Sequence, residues 1–253
     1  MNAITPTIVE LPGPPPLPMS VLDAGPRDSR CVLLGIHGVG GTKDQWRPQI
    51  EYFASRVRIV VPDLRGHGAT PERDAYTIDR ITGDLRQLIE TRALPTPLVV
   101  LGHSYGGVFA LHLALTHPEL VSRVVLIGVS RRFNYGRLFT FATHAPVPTA
   151  LLDALRRWFF AHRFHATAGV MRAYLAQALL PWRGWDRLNA IRQPVLAIAG
   201  KLDVVAPPGA VARMISQIPQ GQLRVVPRAM HLIHLQQPLA TNRLIDEFVA
   251  GHG

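Results

Sequence analysis

A chain of 253 residues can bury a sizeable core within one domain, and its 47% apolar and 17% charged residues exclude disordered or collagen-like classes. One cysteine, Cys31, excludes a disulfide framework; in the apolar run Cys31-Val32-Leu33-Leu34 it reads as a small buried hydrophobe. The net charge of +10 comes with no nucleic-acid-binding motif, so no nucleic-acid partner is expected. The first twenty residues lack Lys and Arg and are broken by Pro14-Pro15-Pro16, which argues against a secretory signal. No run of eighteen apolar residues is free of charges or helix breakers, so no spanning helix is expected and a cytoplasmic location is.

Taken in chain order, two weak strand candidates, 7–11 and 18–22, open the chain and could supply an antiparallel edge. Short apolar runs at 31–36, 57–61, 97–101, 123–129, 194–199 and 222–226 read as strands buried on both faces. Helical patterns alternate with them at 44–54, 106–116, 208–218 and 238–250. Another begins after Thr77 as N-cap, with Ile78, Ile81, Leu85, Leu88 and Ile89 on one face. This alternation predicts an α/β fold: a mostly parallel, eight-stranded sheet with helices on both faces.

Residues 130–191 break the rhythm, with helical stretches rich in aromatics and no strand signal. An insertion of this length after the sixth strand predicts a helical lid, dividing the chain into core 1–129, lid 130–191 and core 192–253. Lid aromatics such as Trp158 and Phe159 are candidate pocket residues, although docking helices on a sheet needs such side chains simply to pack. Between 131 and 191 lie nine arginines against two aspartates. That excess suits an acidic substrate or carrier, or merely a solvated surface. The basic, aromatic stretch 155–160 also admits contact with a membrane surface.

The strongest local signal is Gly102-His103-Ser104-Tyr105-Gly106, set between a strand and a helix. A G-x-S-x-G element in that setting is a nucleophile elbow, whose glycines leave room for a serine on a strained turn. With four further motifs the chain resembles the α/β-hydrolase family along nearly its whole length. These are His37-Gly38-Val39-Gly40-Gly41, similar to the oxyanion loop; Asp63-Leu64-Arg65-Gly66-His67-Gly68, similar to the D-x-R-G-x-G turn; Gly200-Lys201-Leu202-Asp203, at the place of the acid; and the histidine loop from Met230 to Pro238.

The resemblance implies a catalytic triad of Ser104, Asp203 and His231, in the family's chain order. It also implies an oxyanion hole from the backbone N–H groups of Val39 and Tyr105, with the Val39 side chain shaping the pocket. His234, in the same loop, is the nearest competitor to His231 and is expected to pack locally. His37 and His103 read as turn histidines, and Asp63 as a turn carboxylate near Arg65. His162 and His165 are spaced i, i+3 without a companion ligand, so no metal is expected, nor any cofactor.

A serine at the elbow argues against the aspartate-dependent branches of the family that open carbon–halogen bonds or epoxides. The leading expectation is a serine hydrolase acting on a small-molecule acyl substrate, a small to medium carboxylic ester or lactone. The first alternative is a thioesterase or acyltransferase using acyl groups on coenzyme A or a carrier protein; the second is a ligand receptor or non-hydrolytic lyase on the same fold. Oligomeric state is left open.

Overall fold

The computed structural model describes residues 4–134, 148–151 and 165–251. Eight strands form one sheet: β1 (Thr7–Leu11), β2 (Leu17–Ala24), β3 (Val32–Ile36), β4 (Arg58–Pro62), β5 (Leu98–His103), β6 (Val121–Ile127), β7 (Val195–Gly200) and β8 (Gly221–Val226). Their order is β1-β2-β4-β3-β5-β6-β7-β8. Pairing is antiparallel between β1 and β2 and between β2 and β4, and parallel from β4 to β8. The two weak opening strands therefore form the antiparallel edge that the sequence suggested.

Strands β3, β4, β5 and β7 are buried at every position, which explains why they read as unbroken apolar runs instead of alternating ones. Helices α2 (Ile78–Thr91), α3 (Tyr105–Thr116) and α5 (Pro208–Ile215) pack into one core cluster with the short α4 (Ala168–Ala173). Helix α1 (Arg47–Phe53), the short α6 (Ile233–Gln236) and α7 (Pro238–Val249) cover the other face. As expected, the Thr77 side chain caps α2 by accepting from the Arg80 amide.

Three boundaries differ from the sequence reading for identifiable reasons. The pattern at 44–54 is split into a 3₁₀ turn, Lys43–Trp46, and α1, whose first turn contains Pro48; proline lacks an N–H and favours the start of a helix. Strand β6 stops at Ile127 because Gly128 takes φ +61° and turns the chain towards His231. Cys31 lies just before β3 and is only partly buried.

Between β6 and β7 the described residues hold α4, a π-helical turn at Tyr174–Leu179 and a 3₁₀ segment at Gly184–Ala190. The π-helical turn is anchored to the core: the Tyr174 hydroxyl donates to the Arg65 carbonyl at 2.9 Å, and Gln177 Oε1 accepts from the Tyr76 amide at 2.8 Å. Trp158, Phe159, His162 and the stretch 155–160 fall outside the described residues. No helix among the described residues is long and apolar enough to cross a membrane.

One carboxylate ties the antiparallel edge to the body of the sheet. Asp23 on β2 accepts from Arg58 on β4 at 2.9 and 3.0 Å, and also from Arg27 and from Arg92 just after α2. Burial works to raise its pKa, but the hydrogen bonds from Arg58, Arg92 and Arg27 outweigh it and bring the value to about 2. The native pKa lies below the unfolded one, so the stabilisation is full above about pH 4 and lost as pH falls through about 2. Asp23→Asn should therefore lower the urea midpoint at about pH 7, with the gap to wild type narrowing by about pH 3; an equal gap at both would refute the assignment.

Candidate active site

Ser104 sits between β5 and α3 with φ +51° and ψ −124°, a backbone conformation that costs a non-glycine residue roughly 1–3 kcal/mol. Glycines make the turn sterically feasible. A β-carbon on Gly106 would lie 2.2 Å from the Ile36 carbonyl oxygen, and one on Gly102 would lie 2.4 Å from the Gly107 α-carbon. The turn is pinned by the Ser104 amide, which donates to Ile127 at 2.9 Å, and by the Ser104 carbonyl, which accepts from Gly107 at 3.0 Å.

His231 and Asp203 arrive from the loops after β8 and β7. His231 Nε2 lies 3.0 Å from Ser104 Oγ, and His231 Nδ1 lies 2.9 Å from Asp203 Oδ2. The other oxygen, Asp203 Oδ1, accepts from the amides of Val205 and Ala206 at 2.8 and 2.9 Å. Burial favours the neutral acid, yet the hydrogen bond and charge of His231, with those two amides, hold the Asp203 carboxyl below its ordinary range. An ionised Asp203 can only accept, so it fixes the proton on Nδ1 and leaves Nε2 free to accept from the serine hydroxyl.

Two glycines let these loops close on one another. A β-carbon on Gly200 would lie 2.5 Å from the carbonyl oxygens of Ala229 and Met230, while one on Gly128 would lie 3.2 Å from His231 Nδ1. His103 ties the elbow to the histidine loop: its Nε2 donates to the His231 carbonyl at 3.1 Å. This gives the turn histidine a specific partner.

The glycine loop after β3 lies against Ser104, since a β-carbon on Gly38 would be 3.1 Å from Ser104 Cβ. It is held from two sides. The Gly40 amide donates to His67 Nε2 at 3.0 Å, and the Gly40 carbonyl accepts from the His165 amide at 2.8 Å. His37 Nε2 accepts from the Leu64 amide at 3.0 Å, binding the loop to the turn after β4.

Asp63 completes that junction, with a correction to its expected surroundings. Its cationic partner is Lys43, at 2.7 Å from Nζ and 2.8 Å from the amide, and it also accepts from the Ala69 amide at 3.0 Å. Arg65 turns away and pairs with Asp84, both contacts being 2.6 Å.

A cavity of about 540 Å³ opens over Ser104. Val39 and Tyr105 line it, as do Met171, Leu175, Val205, Leu232 and Leu235, with Gln45 and His165 as polar members. Met171 and Leu175 are spaced i, i+4, a helical signal that could have marked them as one face. Val205 and Leu232 follow closely on Asp203 and His231 in the chain. Gln45 carries no sequence signal for a place at the site. His234 is fully buried, its ring 4.6 Å from that of His103 and 5.1 Å from that of Trp46, and it does not reach Ser104.

A sequence profile of the alpha/beta hydrolase family matches residues 32–244. Protein ABHD8 of Mus musculus is 28% identical over 242 residues, covering 86% of this chain and 55% of the relative, so the chain spans about half of that protein's length. The pimeloyl-acyl-carrier-protein methyl ester esterase of Aromatoleum aromaticum is 29% identical over 255 residues, covering 88% of this chain and 100% of its own. Among solved structures, the enol-lactonase from Burkholderia xenovorans LB400 superposes with a TM-score of 0.79 at 23% identity, covering 96% of this chain and 100% of that one.

Four histidines around the site are held neutral, chiefly by burial. It pushes His37 down to about 4 and both His67 and His234 to about 3, and it carries His103 well below its ordinary value. Their native pKa values lie below the unfolded one, so on acidification below about pH 6.5 the unfolded chain takes up protons first and stability falls. Each contributes a slope of up to about 1.4 kcal/mol per pH unit. Urea midpoints should drop steeply between about pH 7 and about pH 5, and a flat profile there would contradict the burial of neutral imidazoles.

Proposed function

Because the chain belongs to the alpha/beta hydrolase family, we propose that it is a serine hydrolase that cleaves a small to medium carboxylic ester or lactone through an acyl-enzyme on Ser104. One observation carries the reading: a continuous line from the Ser104 hydroxyl through His231 to an ionised Asp203, with contacts of 3.0 and 2.9 Å.

In this reading His231 Nε2 takes the hydroxyl proton as Ser104 Oγ adds to the carbonyl carbon, and Asp203 steadies the resulting imidazolium. The negative oxygen of the tetrahedral intermediate is received by the amides of Val39 and Tyr105; one such donor is typically worth about 3 kcal/mol. The intermediate collapses as His231 returns the proton to the leaving alcohol. A water molecule, deprotonated by His231, then adds to the acyl carbon and releases the acid and free Ser104. The segment 130–191 serves as the lid, supported by Met171 and Leu175 lining the cavity.

The second reading, transfer or hydrolysis of an acyl group on an acidic carrier, is favoured by the nine arginines between 131 and 191. The Aromatoleum relative, a pimeloyl-acyl-carrier-protein methyl ester esterase by name, points the same way. Turnover of such carrier-bound substrates should fall with added salt, whereas simple esters should be indifferent to it.

A fluorophosphonate probe should label the wild-type protein and leave Ser104→Ala unlabelled. In parallel, kcat/KM on p-nitrophenyl esters should fall by at least about 10³-fold in Ser104→Ala. Equal labelling of both proteins, or a wild type that neither labels nor turns over an ester of any chain length, would overturn the reading.

A further inference from the structure

Behind the triad, among the described residues, six buried side-chain atoms have no hydrogen-bond partner: Gln45 Oε1, Trp46 Nε1, Gln49 Oε1, His103 Nδ1 and both ring nitrogens of His234. These atoms belong to one neighbourhood. The His234 ring packs against those of both Trp46 and His103, with centroids 5.1 and 4.6 Å away. Gln49 donates through Nε2 to the His234 carbonyl at 3.0 Å. Gln45 lies one helical turn before Gln49 and rests on the glycine loop, its Oε1 being 2.6 Å from where a Gly41 β-carbon would sit.

The hydrogen-bonding character of the group is largely fixed by its other contacts. Gln49 Nε2 donates to both His234 and Asn242, so Gln49 Oε1 must be an acceptor. His103 Nε2 faces a carbonyl and therefore carries the proton, leaving Nδ1 as an acceptor. Trp46 Nε1 can only donate, and neutral His234 offers one donor and one acceptor. The set thus holds two donors and four acceptors. The two N–H donors do not suit a metal ion, and the surplus of acceptors does not suit an anion. Water, which donates two hydrogen bonds and accepts two, matches the set, and buried polar groups left unpaired are strongly disfavoured.

We propose that Gln45, Trp46, Gln49, His103 and His234 enclose a buried water site that joins the active-site cavity at Gln45 and His103, and that through it His103 and His234 act as positioning residues for His231. Water donating to His103 Nδ1 polarises the imidazole and strengthens the bond from its Nε2 to the His231 carbonyl. The loop carrying His231 is thereby held at the elbow, with its Nε2 aimed at the serine. The positioning role rests on the reading of His231 as general base; the water site does not.

The test has two arms that fail separately. A high-resolution crystal structure of the full chain should show ordered water at about 2.7–3.2 Å from His103 Nδ1 and at least one ring nitrogen of His234. His234→Phe, which keeps a ring against Trp46 and His103, should lose that water. A dry wild-type site whose polar atoms pair directly with one another would overturn the proposal. For positioning, kcat on p-nitrophenyl esters should fall about tenfold in His103→Phe with KM unchanged, and His103→Gln, whose amide nitrogen can replace Nε2 as donor, should recover most of the loss. His234→Phe should lower kcat in the same direction. If His103→Phe fails to fold, the His103→Gln and His234→Phe pair carries the comparison, and wild-type kcat in His234→Phe then overturns positioning. Identical kcat in His103→Phe and wild type, with water present, also overturns positioning. A wild type inactive on every ester defeats the hydrolase reading and the positioning role with it, while the crystallographic arm still decides the water site.

Discussion

A β-carbon at position 106 would come within 2.2 Å of the Ile36 carbonyl oxygen, and the arrangement of the site depends on that atom being absent. Glycine there lets the start of α3 approach β3, and glycine at 102 lets it approach β5, so the chain can fold back sharply at Ser104. The same closeness brings Gly38 of the neighbouring loop against the serine, so Ser104 and the glycine loop share one wall. The loops after β7 and β8 then need only supply an imidazole and a carboxylate at the carboxyl edge of a parallel sheet, where such sheets usually present their ligands.

Polar groups behind this edge are organised by a few buried hubs. Asp63 takes two contacts from Lys43 and one from the Ala69 amide, and so binds the segment after the glycine loop to the turn after β4. His37 and His67 span the same junction as neutral acceptors of backbone amides. Neutrality is what permits them there: a charged imidazole would have no bare nitrogen with which to receive an N–H. The D-x-R-G-x-G turn thus acts as a brace for the site as well as a connection, and Arg65 extends the brace to α2 through Asp84.

Much of this was legible in the residues because the decisive signals are local. Apolar runs of five to seven residues marked the central strands, and Gly102 to Gly106 marked the elbow within a single strand-to-helix step. The meeting of Ser104, Asp203 and His231 followed from motif order combined with the resemblance, since spacing alone cannot say which distant loops converge. What escaped depends on tertiary approach. Lys43 gives no sign that it will meet Asp63, twenty positions away, and Arg58 hides an ion pair with Asp23 inside a run that reads as apolar. Pro48 marks the start of α1 within the stretch 44–54 that reads as one helical pattern. Gln45, Met171 and Leu175 join the cavity only because separate elements stack over it.

The backbone at Ser104 would be more comfortable as glycine, because φ +51° carries no steric penalty without a side chain. A side chain at this position is therefore carried at a cost in backbone strain. The strain at Ser104 is confined to that one residue of the turn and sets it apart from the relaxed strands around it.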